Sequence, residues 1–346
     1  MVLGESARKG QVPPWRDPWE NSEMNMHVAP TPAMGELNVS NDLLGDHEAL
    51  KAAWERDGYW FFRDVLDKEV IAQIRQVHVD YLARYGLTDP ADPQARYNGA
   101  DYAHFPANSN STELNRMKLH EALHNAPTIN AFFARLFGCD PFWVPFTVHR
   151  NVPPIVDRSR SRFDMIHADG FYNEGLPFLI CWVPLDVIDE DVGGLALLEG
   201  AHRQPSLHKR VGMDILPIQV EDVPAEKWRR TVYRPGDVLL MDLDTPHSGL
   251  SNITTDRFRF SMDTRVMPSS GNTPKVGAIA AVDAQTVTIV ERGGREHELR
   301  FDADSFVRGS MGDQMPLAAI PEKYQPGDDV IVMAEGDRVI NMRPQL

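Results

Sequence analysis

Three residues near the middle of the chain carry metal-binding side chains: His167, Asp169 and His247. His167 and Asp169 are separated by one residue, and on an extended backbone positions i and i+2 project to the same face, so both side chains reach one ion. His247 lies about 80 residues downstream, after an apolar run from Val238 to Leu243. Two imidazoles and a carboxylate on one side of a metal form the facial triad of non-haem Fe(II) oxygenases, which leaves three positions open for co-substrate and O2. An H-x-D pair alone is a weak signal in a chain with 12 histidines. The segment after His247 strengthens it. From Arg257 to Val266 the odd positions are Arg257, Arg259, Ser261, Asp263 and Arg265, and the even positions Phe258, Phe260 and Met262 are apolar. A strand with one charged and one apolar face, turned charged side inward, holds a guanidinium at fixed distance from the metal, where it grips a carboxylate with two hydrogen bonds. An iron-chelating keto-diacid needs that at its far end. The bland alternative is an exposed, salt-bridged strand.

Other candidates carry less. His120-Glu121-Ala122-Leu123-His124 matches the H-E-x-x-H pattern of zinc metalloproteases, with Glu121 as base. Pro127 should break that helix just after His124, and no third-ligand pattern follows. Both histidines then belong to the polar face of a supporting helix. His149 either faces the metal pocket and touches substrate or is a satisfied wall residue. Arg158, Arg160 and Arg162 crowd the stretch before His167; they form a solvated loop or a patch that steers an anionic substrate, with Arg162 nearest the site.

These residues need elements to position them. Residues 1–40, rich in proline, read as an extended or partly disordered arm. His47 to Asp57 reads as a helix ended by Gly58, Tyr59 to Phe62 as a short strand, and Asp67 as the cap of a helix carrying Val70, Ile71, Ile74, Val77 and Leu82 at helical spacing. A further helical segment runs from about Glu113 to Phe137, interrupted at Pro127. From Phe142 onward the apolar runs are short: Phe142 to Val148, Phe178 to Leu185, Leu195 to Leu198, Val238 to Leu243 and Phe258 to Val266. Such runs, separated by turn residues without intervening helices, predict an antiparallel jelly roll and not a βαβ sheet. Residues 41–267 thus form a mainly β catalytic domain with supporting helices. After a Pro/Gly-containing linker at 268–274, alternating segments in 275–346 predict a small separate β-barrel.

The chain resembles the phytanoyl-CoA dioxygenase-like family over about residues 45–267. The resemblance rests on Asp57-Gly-Tyr-Trp-Phe-Phe-Arg-Asp-Val-Leu-Asp-Lys-Glu, His167-Ala-Asp-Gly, Trp182-Val-Pro-Leu-Asp through Gly193-Gly194 to Glu199-Gly-Ala-His-Arg203, Pro235-Gly-Asp-Val-Leu-Leu, Thr245-Pro-His247 and Asp256-Arg-Phe-Arg-Phe-Ser261, in family order. It implies a double-stranded β-helix, iron on His167, Asp169 and His247, and 2-oxoglutarate as co-substrate. Its C5 carboxylate is expected on Arg257, with Arg259 as fallback, and Trp182 is expected to line the co-substrate pocket. The family places the turn holding His202 and Arg203 near the barrel mouth, which makes Arg203 a candidate substrate contact. With Asp169 present, the position that related halogenases leave for chloride is filled. Hydroxylation or a related oxidation is therefore expected. The long arm, the Arg158–Arg162 stretch and the C-terminal module depart from the family pattern.

The bulk numbers bound the remainder. The 346 residues, 42% hydrophobic and 25% charged, have a globular balance. A net charge of −15 argues against nucleic acid as partner. No apolar run approaches a membrane span, and two cysteines are too few for a disulfide framework. A cytoplasmic enzyme acting on a small organic molecule is expected, the finer expectation being an anion or a specialised-metabolism intermediate. A non-catalytic binding protein on the same fold is the alternative, disfavoured by the intact His167, Asp169, His247 and Arg257. The C-terminal module is expected to act through contacts, as a cap on the barrel mouth or a homo-oligomer interface.

Overall fold

The computed structural model describes residues 33–89, 91–100, 110–155, 162–204, 207–211, 214–309 and 314–345. Of the arm expected over residues 1–40, residues 1–32 lie outside them, as do Arg158 and Arg160. The first helices form as their sequence dictates. Asp46 caps α1 (His47–Asp57) by accepting from the Ala49 amide, and Gly58 closes it at φ 80°. Asp67 caps α2 (Lys68–Arg84), which buries Ile71, Ile74 and Leu82. The segment expected as one interrupted helix is three: α3 (Asn110–Arg116), α4 (Leu119–His124) and α5 (Pro127–Phe137). Pro127 starts α5, where its missing N–H is harmless, and a second break falls at Lys118, which adopts φ 57°.

The strands run in order as β1 (Gly35–Glu36), β2 (Tyr59–Phe62), β3 (Pro141–Val152), β4 (Leu179–Pro184), β5 (Gly194–Leu198), β6 (Lys209–Val211), β7 (Asp214–Leu216), β8 (Trp228–Arg230), β9 (Val238–Met241), β10 (His247–Leu250) and β11 (Arg259–Pro268). They build a five-stranded sheet, β2-β9-β4-β11-β3, facing a four-stranded sheet, β1-β8-β5-β10. This is the expected double-stranded β-helix. The larger sheet carries the helical layer on its outer face. Phe258, Phe260 and Met262 join Ile71, Ile74, Leu123 and Phe133 in one apolar cluster there. The opposite faces of the same strands line the barrel, so the period-2 alternation of β11 is what turns Arg259, Ser261, Asp263 and Arg265 inward.

The C-terminal segment adds β12 (Lys275–Val282), β13 (Thr286–Glu291), β14 (Glu296–Arg300), β15 (Phe306–Val307), β16 (Asp329–Glu335) and β17 (Arg338–Pro344). The sheet order β14-β13-β12-β16-β17-β15 closes on itself through a parallel β14–β17 contact, Arg300 against Arg338. The module has its own core around Ile279, Val287, Leu299, Val330 and Val339. A second apolar cluster crosses the boundary. Ile331 and Met333 of β16 belong to the group that includes Phe146, Phe178, Ile180, Trp182 and Met267 of the jelly roll. Among the described residues no helix is long and apolar enough to cross a membrane.

Candidate active site

The three candidate metal ligands meet where the small sheet extends past its last strand. His167 lies outside a named strand but bridges to His247 on β10, with amide-to-carbonyl hydrogen bonds of 3.0 and 2.8 Å in the two directions. Ala168 keeps an extended backbone, and Asp169 opens a 3-10 turn that runs to Tyr172. The same-face geometry expected for a strand is therefore achieved by one extended residue followed by a turn. Ligand atoms of His167, Asp169 and His247 all lie within 4.8 Å of one another, the only such group of three among the described residues. His167 Nε2 is 3.3 Å from Asp169 Oδ1. The Nδ1 atoms of His167 and His247 lie 3.0 Å from the carbonyls of Met165 and Thr245. A carbonyl only accepts, so these contacts fix the proton on Nδ1 and leave Nε2 for a metal.

The electrostatics fit a cation. Burial opposes ionisation of Asp169, but His167, His247 and the Arg265 guanidinium outweigh it and hold the carboxyl far below the usual carboxylate range. Burial, followed by the His167 charge, pulls His247 down to about 4. An ionised carboxylate and a neutral imidazole are the forms that ligate. Arg265 Nη2 is 3.3 Å from Asp169 Oδ2, which leaves Oδ1 on the histidine side. Its Nη1 pairs with Asp263 at 2.5 Å, and its Cζ lies 4.0 Å over the Phe146 ring. Asn173 Nδ2 donates to the Asp169 carbonyl at 2.8 Å, and the Ala168 amide donates to His208 Nε2 at 3.0 Å.

The triad opens into a cavity of about 340 Å³, whose walls include Phe146, Val148, Arg150, Trp182, Leu195, Met241, Arg259, Ser261, Asp263 and Arg265. Arg259 is 7% exposed and has no ion pair among the described residues. Its Nη1 donates to the carbonyls of Gly194 and Leu250 at 3.1 and 2.8 Å, while Nε is buried without a hydrogen-bond partner among the described residues. Burial pulls its pKa down to about 10. The Gly193-Gly194 turn makes this seat. Gly193 sits at φ 93°, and a Cβ there would fall 2.4 Å from the Leu250 carbonyl oxygen that receives Arg259. Ser261 Oγ, also buried, has no hydrogen-bond partner among the described residues. Trp182 lines the same cavity, packed edge-on against Tyr233 at 4.6 Å.

Several expected residues sit elsewhere. Arg257 precedes β11 and makes a two-oxygen pair with Asp189 at 2.8 and 2.9 Å, partly exposed and outside the cavity wall. The strand's inward face begins only at Arg259, one pleat repeat beyond Arg257. His149 faces the helical layer, because Phe146, Val148 and Arg150 take the inward positions of β3; its Nδ1 is 3.1 Å from His78 Nε2. Arg162 donates to the carbonyls of Glu190 and Ser251, and Arg203 pairs with Glu55 at 3.6 Å; neither lines the cavity. The H-E-x-x-H histidines hold no metal-like arrangement. His124 is stacked on Trp143, 4.6 Å apart, with Nε2 2.8 Å from Thr264 Oγ1. It is buried, not on a polar face. Ser261 and Arg265 were on view in the alternation from 257 to 266. Nothing in the sequence pointed to Arg308, which reaches the cavity wall from the C-terminal module.

A metal triad and a buried arginine in the mouth of a double-stranded β-helix define a class of Fe(II)-dependent oxygenase. The phytanoyl-CoA dioxygenase (PhyH) family description matches residues 54–261, and the chain belongs to that family. It is an Fe(II)- and 2-oxoglutarate-dependent dioxygenase acting on a small organic molecule. The 1-deoxypentalenic acid 11-beta-hydroxylase of Streptomyces arenae is 28% identical over 242 residues, covering 66% of this chain and 84% of the relative. The Streptomyces exfoliatus protein of the same name is 27% identical over the same shares. Among solved structures, EctD from S. alaskensis with 2-oxoglutarate and 5-hydroxyectoine gives a TM-score of 0.45 at 18% identity, covering 72% of this chain and 86% of that one.

Proposed function

We propose that the chain hydroxylates its substrate with iron on His167, Asp169 and His247, and with the C5 carboxylate of 2-oxoglutarate on Arg259 and Ser261. The observation that carries the assignment is Arg259: a buried guanidinium with no ion pair within 4.0 Å among the described residues, in the same cavity as the triad. A buried charge costs stability unless a partner completes it, and a dicarboxylate anchored at the metal supplies that partner. Ser261 Oγ, one pleat further along the same face, adds a donor. Held by His167, Asp169 and His247, iron would supply O2 activation coupled to the oxidative decarboxylation of 2-oxoglutarate to succinate and CO2.

The chain's own groups do the rest. The Met165 and Thr245 carbonyls aim both imidazoles, Arg265 holds the outer oxygen of Asp169, and Trp182 with Leu195 and Met241 keeps water from the reacting carbon. Asp169 fills the ligand position a halide would need, and the relatives named as hydroxylases support hydroxylation of a specialised-metabolism intermediate. The C-terminal module meets the barrel within one chain, which supports a capping role over a homo-oligomer interface.

The test is anaerobic absorption. Fe(II) and 2-oxoglutarate together should give a charge-transfer band that His167→Ala and Asp169→Ala abolish. Arg259→Lys keeps the charge but loses the planar fork. It should cost about 1.5–3 kcal/mol, at least roughly a tenfold rise in the 2-oxoglutarate needed. A band surviving both triad substitutions would sink the ligand assignment. A silent Arg259→Lys beside a responsive Arg257→Lys would return the role to Arg257.

A further inference from the structure

One strand of the C-terminal module grips the loop that follows Asp169. Ile340, Asn341 and Arg343 of β17 meet Gly175, Glu174 and Asn173 in turn. Gly175 adopts φ 78°, and a Cβ there would fall 2.5 Å from Ile340 Cγ2, so Ile340 packs directly on the loop backbone. Asn341 Nδ2 donates to the Glu174 carbonyl at 2.8 Å. Arg343 donates through Nη1 to Asn173 Oδ1, and Asn173 Nδ2 donates in turn to the Asp169 carbonyl at 2.8 Å. Arg343 and Asn173 are 2% and 3% exposed, which shields this relay from water.

Arg343 reaches Asp169 by a second route. Its Cζ lies 3.6 Å from the centroid of the Phe146 ring, and Arg265 Cζ lies 4.0 Å from the same centroid. Arg265 Nη2 is 3.3 Å from Asp169 Oδ2. The backbone carbonyl and the outer carboxylate oxygen of Asp169 are therefore both held by groups that rest on Arg343. With these two fixed, Oδ1 faces His167 Nε2, 3.3 Å away.

Arg343 is poorly placed for the module's own stability. Its Nε has no hydrogen-bond partner, and it makes no ion pair within 4.0 Å among the described residues. Burial is the largest influence against its cation, neighbouring guanidiniums add to it, and the Asp169 carboxylate acts in its favour. An apolar residue of similar volume in place of a buried charge is often neutral or stabilising. What Arg343 contributes lies across the module boundary, at Asp169.

We propose that Arg343 is a positioning residue for Asp169, acting through Asn173 and through Phe146 with Arg265, so that the C-terminal module completes the metal site. The proposal rests on the triad assignment made above. Groups behind a metal ligand orient it before the ion arrives, and their loss typically weakens binding about 10–100-fold.

The test measures Fe(II) binding to the metal-free full chain under anaerobic conditions, by competition with a chromophoric chelator. The d–d absorption of Co(II), bound in place of iron, reports the geometry of the ligands. Arg343→Met should weaken Fe(II) binding at least about tenfold and alter the Co(II) bands, with urea unfolding showing that the fold is retained. Arg343→Lys keeps a donor for Asn173 but loses the flat face on Phe146, and should fall between. Asn173→Ala should weaken binding to a similar degree, and adding Arg343→Met to it should cost less than Arg343→Met does alone. Val339→Ala removes packing from the module's own core, apart from the relay, and should keep wild-type affinity and bands. Unchanged affinity and bands in Arg343→Met, or an equal loss in Val339→Ala, overturn the proposal. If Arg343→Met does not fold, Arg343→Lys and Asn173→Ala decide by the same readings. Wild-type protein that binds Fe(II) no better than His167→Ala would mean that the triad assignment has failed and the proposal with it, and that comparison is read first.

Discussion

Asp263 sits between Arg265 at 2.5 Å and Arg150 at 3.5 Å, with 10% of its side chain exposed. Removing the nearer cation leaves a buried carboxylate short of its main partner and frees the outer oxygen of Asp169, so Arg265→Met should be costly although it preserves volume. Loss of one member of such a pair typically costs about 3–5 kcal/mol; the Arg150 contact and residual hydration should keep this case near the lower end. Urea unfolding of the metal-free protein measures it, and a change under about 1 kcal/mol would show that Arg265 contributes little to stability. At this scale the sequence disclosed which face of β11 was charged, because alternation is a property of the strand itself. It did not disclose which arginine came first on the inward face. That depended on where the strand starts and on Asp189, 68 residues away, taking Arg257 into a surface pair. Arg343 was silent for the same reason: its neighbours Phe146 and Asn173 are brought to it only by the packing of two modules.

Three buried histidines lie between the helical layer and the large sheet, His78 on α2, His124 on α4 and His149 on β3, and this gives the element scale its own pH dependence. Burial pulls His78 down to about 4 and His124 to about 3, and lowers His149 strongly, with His78 adding to the last effect. Each folded pKa lies below the ordinary value near 6.5, so below that pH the unfolded chain binds protons that the folded chain does not. Stability should therefore be full above about pH 6.5 and fall as pH drops toward 4, with a slope of up to about 1.4 kcal/mol per pH unit for each histidine. His124→Phe can keep the stacking on Trp143, and Thr264 Oγ1 retains its 3.0 Å bond to Thr147. Urea midpoints at pH 7, 6 and 5 should fall less steeply in this variant than in wild type; parallel slopes would mean that His124 is not held neutral. The elements themselves were legible wherever local signals agree, as in α1 with its Asp46 cap and Gly58 stop. They were not legible at Lys118, whose left-handed backbone splits a helix that periodicity reads as continuous, nor at β10, whose four residues carry His247 but are too short to show a period.

At the scale of the whole molecule, β11 ends at Pro268 and β12 begins at Lys275 in another sheet, yet apolar packing runs across this junction. Ile331 and Met333 are 0% and 7% exposed, and they share an apolar cluster with Phe146, Phe178 and Met267 of the jelly roll. Asn341 Nδ2 donates to the Glu174 carbonyl at 2.8 Å, and Arg343 reaches Asn173, whose amide in turn holds the Asp169 carbonyl. The module thus touches the loop that carries Asp169. Burying two large apolar side chains is worth about 3–6 kcal/mol, a large fraction of the roughly 5–15 kcal/mol that holds a domain folded. Two units coupled that strongly should unfold together. Calorimetry of the metal-free full chain should show one transition whose van't Hoff and calorimetric enthalpies agree, and a chain ending near Ser270 should melt earlier, expose apolar surface to a hydrophobic dye and bind Fe(II) more weakly. Two resolved transitions in the full chain, together with unchanged Fe(II) affinity in the shortened one, would mean that the module is merely appended and that the loop after Asp169 keeps its shape without it.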